Sequence, residues 1–363
     1  MIGGFLGAGK TTAVSLLARK LRARGLRVGL ITNDQGDNLA DTALLRSLGF
    51  ATEEIAGGCF CCRFNSLLDA SNRLTENIRP DVFIAEPVGS CTDLVATVTY
   101  PLRRFNGNEF SMAPVSVLVD PIRAMRVFGL ETGKTFSEKV LYIYKKQLEE
   151  ADLVIISKCD LVTSEQLENL RQVLDKEFPQ KEILAVSART GKNLDTWFEK
   201  ISRQEPQTAK TMSVDYQIYA DGEALLGWLN CTIQLSSKSG FVADEVLRRL
   251  ADEIHERLKA KHAEIAHLKI TLSPDLALGE LAVVNLVRND FVPEITMPLK
   301  DPVQSGRLIV NLRAETEPEV LSSTVCESLA AISSRFAGLE GRLEHLQRFR
   351  PGKPTPTHRL ESV

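Results

Sequence analysis

Residues 4–12 read Gly4-Phe5-Leu6-Gly7-Ala8-Gly9-Lys10-Thr11-Thr12, a full match to the pattern G-x-x-x-x-G-K-[ST]. Glycines at these spacings let the backbone wrap an anion, so that successive N–H groups and the start of the following helix point at phosphate oxygens. In that geometry Gly4, Gly7 and Gly9 form the cradle and Lys10 reaches the β- and γ-phosphates. The Thr11 hydroxyl ligates Mg²⁺, and Thr12 meets the α-phosphate. The competing reading is a glycine turn beside a surface lysine, and the helical periodicity just downstream argues against it.

Outward from this loop the chain alternates. Short apolar runs at 28–32, 82–85, 115–119, 153–156 and 183–186 are separated by amphipathic stretches that include 11–24, 136–150 and 164–178. That is the pattern of a parallel sheet covered by helices. Only Met1-Ile2-Gly3 precede the loop, fewer than the roughly 5–6 residues of an average strand, so further upstream residues are expected in the natural chain. A polar, aperiodic stretch at 202–212 marks a boundary. Beyond it, strand-like runs at 214–219, 232–235, 268–272, 281–287 and 308–312, with helices at 243–261 and 318–336, predict an antiparallel sheet with helices. The expected architecture is α/β. A P-loop NTPase domain with a mostly parallel sheet spans 1–205, a smaller α+β domain spans 213–337, and a basic, proline-rich tail over 338–363 runs extended on the surface. The length of 363 residues leaves room for both cores.

Composition narrows the function classes. Lys and Arg number 44 against 47 Asp and Glu, a net charge of −3, which disfavours a nucleic-acid partner held by bulk charge. No apolar run reaches the roughly 20 residues that span a bilayer, and the N-terminus lacks a basic segment followed by an apolar one. A cytoplasmic protein with no membrane partner is expected.

Two further segments concern the nucleotide. The run 153–156 delivers Ser157-Lys158-Cys159-Asp160 to a strand's carboxyl edge, where ligands bind in open α/β sheets. An aspartate there accepts both N–H donors of a guanine edge, a pair adenine lacks. Asp160 is otherwise a turn or helix-start carboxylate. The Lys158 stem can lie over the base, and Ser187-Ala188 can offer a backbone N–H to the guanine carbonyl. Together these resemble the N-K-x-D and S-A-K elements of GTPases, and Ser157 stands in place of the asparagine of that pattern, so the resemblance implies a weaker tie to the phosphate loop. The run 82–85 ends in Glu86-Pro87-Val88-Gly89. Glu86 can hold a Mg²⁺-bound water or orient the attacking one, and Gly89 can donate its N–H to the γ-phosphate. Asp34 and Asp37 either face the nucleotide and its metal or serve as turn residues. Lys10, Glu86 and Asp34 are the candidate catalytic set, with Thr11 and Glu86 as the Mg²⁺ ligands. No glutamine stands where Ras-like proteins position water, so slow turnover is expected.

Seven cysteines include Cys59, Cys61 and Cys62 in Gly57-Gly58-Cys59-Phe60-Cys61-Cys62. In an extended segment Cys59 and Cys61 point one way and Cys62 the other, so they converge only if the chain turns, which the glycines permit. Three thiolates form a soft site suited to Zn²⁺ or Cu⁺, with one tetrahedral position left for a fourth ligand or for transfer. Core packing and redox chemistry are the alternatives. Cys91 is a further candidate ligand, whereas Cys159, Cys231 and Cys326 read as core or loop residues, and His255 and His262 as half-buried or exposed. The cluster lies between the Asp34/Asp37 segment and the Glu86 strand, so coupling of metal to nucleotide is expected.

Taken together, GFLGAGKTT, the C-F-C-C cluster after two glycines, the acidic strand end, SKCD and SARTG resemble the CobW-type P-loop GTPases, relatives of the GTPases that insert nickel into urease and hydrogenase. The resemblance runs from Gly4 to about Trp197. It implies a GTP-hydrolysing metal chaperone or insertase that uses GTP, Mg²⁺ and Zn²⁺ or Co²⁺, with the C-x-C-C cysteines as metal site and a client metalloprotein or cobalamin-pathway protein as partner. Oligomeric state, homodimer included, stays open. Asn33-Asp34-Gln35-Gly36 stands in place of N-E-F-G, Glu86-Pro87-Val88-Gly89-Ser90 replaces a switch containing Thr or Ser, and the family's histidine-rich stretch is absent. A P-loop kinase or other transferase acting on a small acceptor, and a nucleotide-gated thiol sensor, are the alternative functions.

Overall fold

The chain is described by a computed structural model at every residue except Asn38, Asn108, 204–210, Ala277, Leu278 and Val363. It forms two compact units. The first comprises Met1–Gln35, Ala51–Glu223 and Lys353–Val363, and the second Gly36–Phe50 and Ala224–Gly352. The expected boundary at 202–212 lies mostly outside the described residues.

Seven parallel strands build the first unit: β1 (Ile2–Gly4), β2 (Val28–Asn33), β3 (Ala51–Ile55), β4 (Val82–Glu86), β5 (Ser116–Val119), β6 (Leu153–Ile156) and β7 (Glu182–Ala185). They run in the orders β3-β2-β4 and β1-β5-β6-β7. Every residue of β5 and β6 is buried, which explains their unbroken apolar runs where a half-exposed strand would alternate. Helix Lys10–Ala23 buries Ala13, Val14, Leu17, Ala18 and Leu21, the spacing of one helical face. Helix Ser164–Glu177 opens with Thr163 and Gln166 in a reciprocal capping box.

The run 214–219, read above as a strand, instead enters helix Tyr216–Leu225. Asp215 Oδ1 accepts from the Gln217 and Ile218 amides at 2.8 and 3.0 Å, so local capping overrides the apolar alternation.

The second unit holds a six-stranded antiparallel sheet. Its strands are β8 (Leu226–Val242), β9 (Glu264–Pro274), β10 (Ala282–Leu286), β11 (Glu294–Met297), β12 (Pro302–Glu315) and β13 (Leu339–Phe349), in the order β11-β10-β9-β12-β8-β13. Helix Ala243–Ala260 joins β8 to β9 with β12 between them, and helix Pro318–Arg335 joins β12 to β13 with β8 between them. The two split β-α-β units interlock, and their helices share one apolar core with Ile233, Leu250, Ile270, Val310 and Leu321. Strand β13 corrects the expectation of an extended tail beginning at 338, because the segment pairs with β8 along its length.

Segment Gly36–Phe50, which lies between β2 and β3 in sequence, belongs to this second unit for polar reasons. Asn311 Oδ1 accepts from the Ala40 amide at 2.7 Å, Asn230 Nδ2 donates to the Asp37 carbonyl at 2.9 Å, and Lys269 pairs with Asp41.

In the first unit, Glu150 ends helix Glu138–Glu150 and is buried. It accepts from Thr92 Oγ1 at 3.2 Å and from the Val95 amide at 3.3 Å. Burial, reinforced by nearby Asp93, pushes its carboxyl up to about 8 from the ordinary 4.5. The native state therefore keeps a proton that the unfolded chain releases, and stability falls as pH rises from about 4.5 through about 8. Glu150→Gln can keep both contacts with its carbonyl toward Val95 and its amide toward Thr92. Its melting temperature should fall less than wild type between about pH 5 and pH 8. Parallel declines in the two proteins would contradict the buried-proton assignment.

Candidate nucleotide and metal site

The phosphate loop takes the shape its glycines allow. Gly4, Gly7 and Gly9 have φ of 130°, 77° and 93°, and a Cβ on Gly4 would lie 2.3 Å from the Leu118 carbonyl oxygen. No side chain caps helix Lys10–Ala23, so its first-turn N–H groups face the loop, as an anion site requires. Lys10 is buried with Nζ 3.4 Å from the Phe5 carbonyl. The Thr12 side chain is exposed.

Thr11 and Glu86 meet directly: the hydroxyl donates to Glu86 Oε1 at 3.0 Å, and both residues are buried. Two oxygen donors of this kind fit a hard divalent cation such as Mg²⁺. Asp34 follows β2, whose Thr32 pairs with Glu86 of β4, so the two carboxylates share one sheet edge. Gly89 packs against the loop so closely that a Cβ there would lie 2.7 Å from Leu6 Cδ2 and 3.0 Å from the Leu6 nitrogen. Asp37 belongs to the second unit.

At the neighbouring edge, the tie that Ser157 was expected to weaken is made differently. Its hydroxyl lies 2.8 Å from the Ala8 carbonyl and 2.9 Å from the Val119 carbonyl, and Lys158 Nζ donates to the Gly7 carbonyl at 2.7 Å and to Asp120 Oδ2 at 3.0 Å. Asp160 lies in the short turn Cys159–Leu161, with Arg189 3.9 Å away. Ser187 and Ala188 adjoin it through the Cys159 amide, which donates to the Val186 carbonyl at 3.1 Å.

The cysteines converge because the chain turns. Gly57 and Gly58 adopt φ of 75° and 150°, and the Cys62 and Arg63 amides both donate to the Cys59 carbonyl, at 3.0 and 2.9 Å. Sulfur separations are 2.8 Å for Cys59–Cys61, 3.4 Å for Cys59–Cys62 and 3.6 Å for Cys61–Cys62. All three sulfurs lie within 4.8 Å of one another. Three soft donors brought together in this way suit zinc or a similar ion.

Asn33, given no role above beyond its place in Asn33-Asp34-Gln35-Gly36, holds that turn. Its Nδ2 donates to the Ile55 carbonyl at 2.9 Å and the Gly58 carbonyl at 2.7 Å, and its Oδ1 accepts from the Phe60 amide at 2.8 Å. The end of β2 is thereby fastened to both flanks of Cys59. The available signals were its position, an amide ending an apolar strand, and its match to the asparagine of the N-E-F-G pattern.

The chain's last residues form another wall. The Thr355 amide donates to Cys62 Sγ at 3.2 Å, and the Thr357 amide and hydroxyl donate to the Cys61 and Cys62 carbonyls at 2.8 and 3.2 Å. Arg359 Nε pairs with buried Asp93 at 2.9 Å, and Tyr216 donates its hydroxyl to the same carboxylate oxygen at 2.6 Å. Nothing in the tail's composition pointed to this role.

Buried acid surrounds the sulfurs. The carboxyl of Glu223, fully buried, is held well above its usual range by burial and then by Cys59. Its Oε1 accepts from Ser90 at 2.5 Å and from Gln35 at 3.2 Å. Hydrogen bonds to Cys59 and Cys61 lower the Cys91 thiol to about 6. Its hydrogen bonds with the other cysteines raise Cys61 well above the ordinary thiol value. Cys62 is pushed up to about 11, first by its hydrogen bond to Cys59.

Among the described residues no helix is long and apolar enough to cross a membrane. The chain is 29% identical over 215 residues to the zinc chaperone CobW of a Sinorhizobium species, covering 53% of this chain and 58% of that protein. It is 23% identical over 212 residues to the zinc-regulated GTPase metalloprotein activator 1 of Dictyostelium discoideum, covering 51% and 44%. The chain thus spans about half the length of these curated relatives. Among solved structures it is similar to the Zn(II)-bound YjiA GTPase of Escherichia coli, at 15% identity over 91% of this chain and 97% of that one, with a TM-score of 0.34. Residues 1–185 match the CobW/HypB/UreG nucleotide-binding domain, and the chain belongs to that family.

Proposed function

We propose that the chain is a GTP-hydrolysing switch that carries a divalent metal, zinc or cobalt, on Cys59, Cys61 and Cys62 and releases it to a client protein. The observation that carries this reading is the Asn33 amide, which fastens the cysteine turn to the end of β2, next in register to Glu86. A γ-phosphate that moves this edge also moves the turn.

The parts divide as follows. Gly4, Gly7, Gly9, Lys10, Thr11 and Thr12 bind the phosphates, and Lys10 leaves the Phe5 carbonyl to do so. Ser157, Lys158, Asp160, Ser187 and Ala188 receive the base. When bound with the nucleotide, Mg²⁺ neutralises charge at the β- and γ-phosphates, and the oxygens of Thr11 and Glu86 would hold it. Gly89 donates its N–H toward the γ-phosphate, while Asp34 or Glu86 orients water. The soft sulfur set carries zinc as cargo, and the names of the zinc-linked relatives are consistent with that choice.

Guanine preference is testable at one residue. Asp160→Asn should weaken GTP binding by about 100-fold, from the loss of charged hydrogen bonds of roughly 1.5–3 kcal/mol each, and gain xanthine nucleotide, read by calorimetry. Wild type binding ATP as tightly as GTP would end the assignment.

Coupling is the second test. A non-hydrolysable GTP analogue and GDP should give zinc affinities differing by about 5–150-fold, and zinc should shift nucleotide affinity by the same factor. Asn33→Ala should shrink that factor toward unity while both ligands still bind. Chelator competition titrations measure it, and equal zinc affinity in both nucleotide states of the wild type would defeat the switch.

A further inference from the structure

Residues Lys353-Pro354-Thr355-Pro356-Thr357-His358-Arg359-Leu360 lie across the cysteine turn, and their order gives them a single bonding edge. Of Cys59, Cys61 and Cys62, only Cys62 is not fully buried. Its sulfur accepts from the Thr355 amide at 3.2 Å, and the Cys61 carbonyl accepts from the Thr357 amide at 2.8 Å. Amides two positions apart point to the same side of an extended segment. The positions that face the other way are Pro354 and Pro356, which have no N–H to offer. These prolines also hold Lys353 and Thr355 in extended backbone, so little further ordering is needed to seat the segment.

Two anchors fix it beyond the turn. The His358 ring packs against the rings of Phe64 and Phe105, with centroids 5.1 Å from each, and Phe64 opens the helix Phe64–Ile78 that follows the cysteines. Arg359 pairs through Nε with Asp93 and donates through Nη2 to the Met212 carbonyl, both at 2.9 Å, and the Leu360 amide donates to the Ala96 carbonyl at 2.9 Å. Asp93 is 1% exposed with φ of 65°, a left-handed backbone that a residue other than glycine keeps only where its contacts hold it. From Lys353 to Leu360, Pro354 alone is fully buried. The segment's hold is therefore polar and local, of the kind that opens without global unfolding.

We propose that Lys353–Leu360 is a displaceable strap that closes the mouth of the cysteine site, so that metal passes Cys62 only when the Arg359–Asp93 anchor lets go. This rests on the C-x-C-C reading above and deepens it. The first half of the strap bonds the turn that Asn33 ties to β2, and the second half bonds the stretch after β4. Because Cys59 and Cys61 are already buried, covering Cys62 is enough to shield all three sulfurs. The strap slows exchange in both directions without being a ligand itself.

The test uses the intact, reduced chain. In wild type, hydrogen exchange of the Thr355 and Thr357 amides should be slower than in an open peptide yet faster than in buried β5 and β6. Protection equal to those strands would make the segment a permanent wall and overturn the proposal, as would no protection at all. In metal-free protein, Arg359→Ala should speed alkylation of Cys62 by iodoacetamide about tenfold, the equivalent of one charge-assisted hydrogen bond. Exposed Cys326 should react at an unchanged rate and serves as the internal reference. Thr357→Pro removes one strap amide while leaving Asp93 paired, should act in the same direction, and serves if Arg359→Ala does not fold. Loaded with zinc, both variants should yield metal to a chelator faster than wild type by the same factor. Unchanged alkylation and unchanged release in both would overturn the strap and leave the C-x-C-C site standing. Faster alkylation in a protein that binds no zinc would keep the strap as a cover of Cys62 and defeat the C-x-C-C reading instead.

Discussion

The side chain of Asn33 is the constraint on which the site depends. An amide at the buried end of a strand must satisfy both its donor and its acceptor, since an unpaired polar group there costs about 1–3 kcal/mol. It does so on the Ile55 and Gly58 carbonyls and the Phe60 amide. The consequence is mechanical: the turn that gathers Cys59, Cys61 and Cys62 cannot move independently of β2. Because β2 pairs with β4 up to Glu86, the constraint extends to the threonine–glutamate pair beside the phosphate loop.

Charge explains the rest of the neighbourhood. Several acidic groups share a buried volume: Glu223, Glu150, Asp93 and the thiols of Cys59, Cys61 and Cys91. Burial favours the neutral forms of Glu223, Glu150 and Asp93, and Asp93 alone has a guanidinium, that of Arg359, as an ion-pair partner in the contacts described above. The Thr355 amide directed at Cys62 Sγ opposes, without reversing, the rise of that thiol.

The second unit follows a separate logic. Its long strands β8 and β12 carry apolar residues toward the two helices and polar ones toward the other face, and Asn230, Lys269 and Asn311 of that face hold segment Gly36–Phe50. The chain between β2 and β3 is thus committed to a polar surface rather than to the parallel sheet.

Sequence by itself determined the parts governed by local rules. The spacing of Gly4, Gly9, Lys10 and Thr11 allows little besides an anion loop, and the buried strands at 116–119 and 153–156 show as unbroken apolar runs. The Ser157–Asp160 loop was placed by its position at a strand end. Tertiary structure decided what depends on partners distant in sequence. Whether three cysteines converge is set by Asn33, which lies 27 positions before its Phe60 partner. Ser157 binds Ala8 across 149 positions, and the Thr355 amide meets Cys62 across 293. Helix Tyr216–Leu225 looked like a strand because Val214, Tyr216 and Ile218 alternate, until Asp215 capped it. Periodicity and motif spacing report on a residue's own neighbours along the chain, whereas a buried hydrogen bond is satisfied by whichever group the fold brings near, and no local pattern encodes that choice.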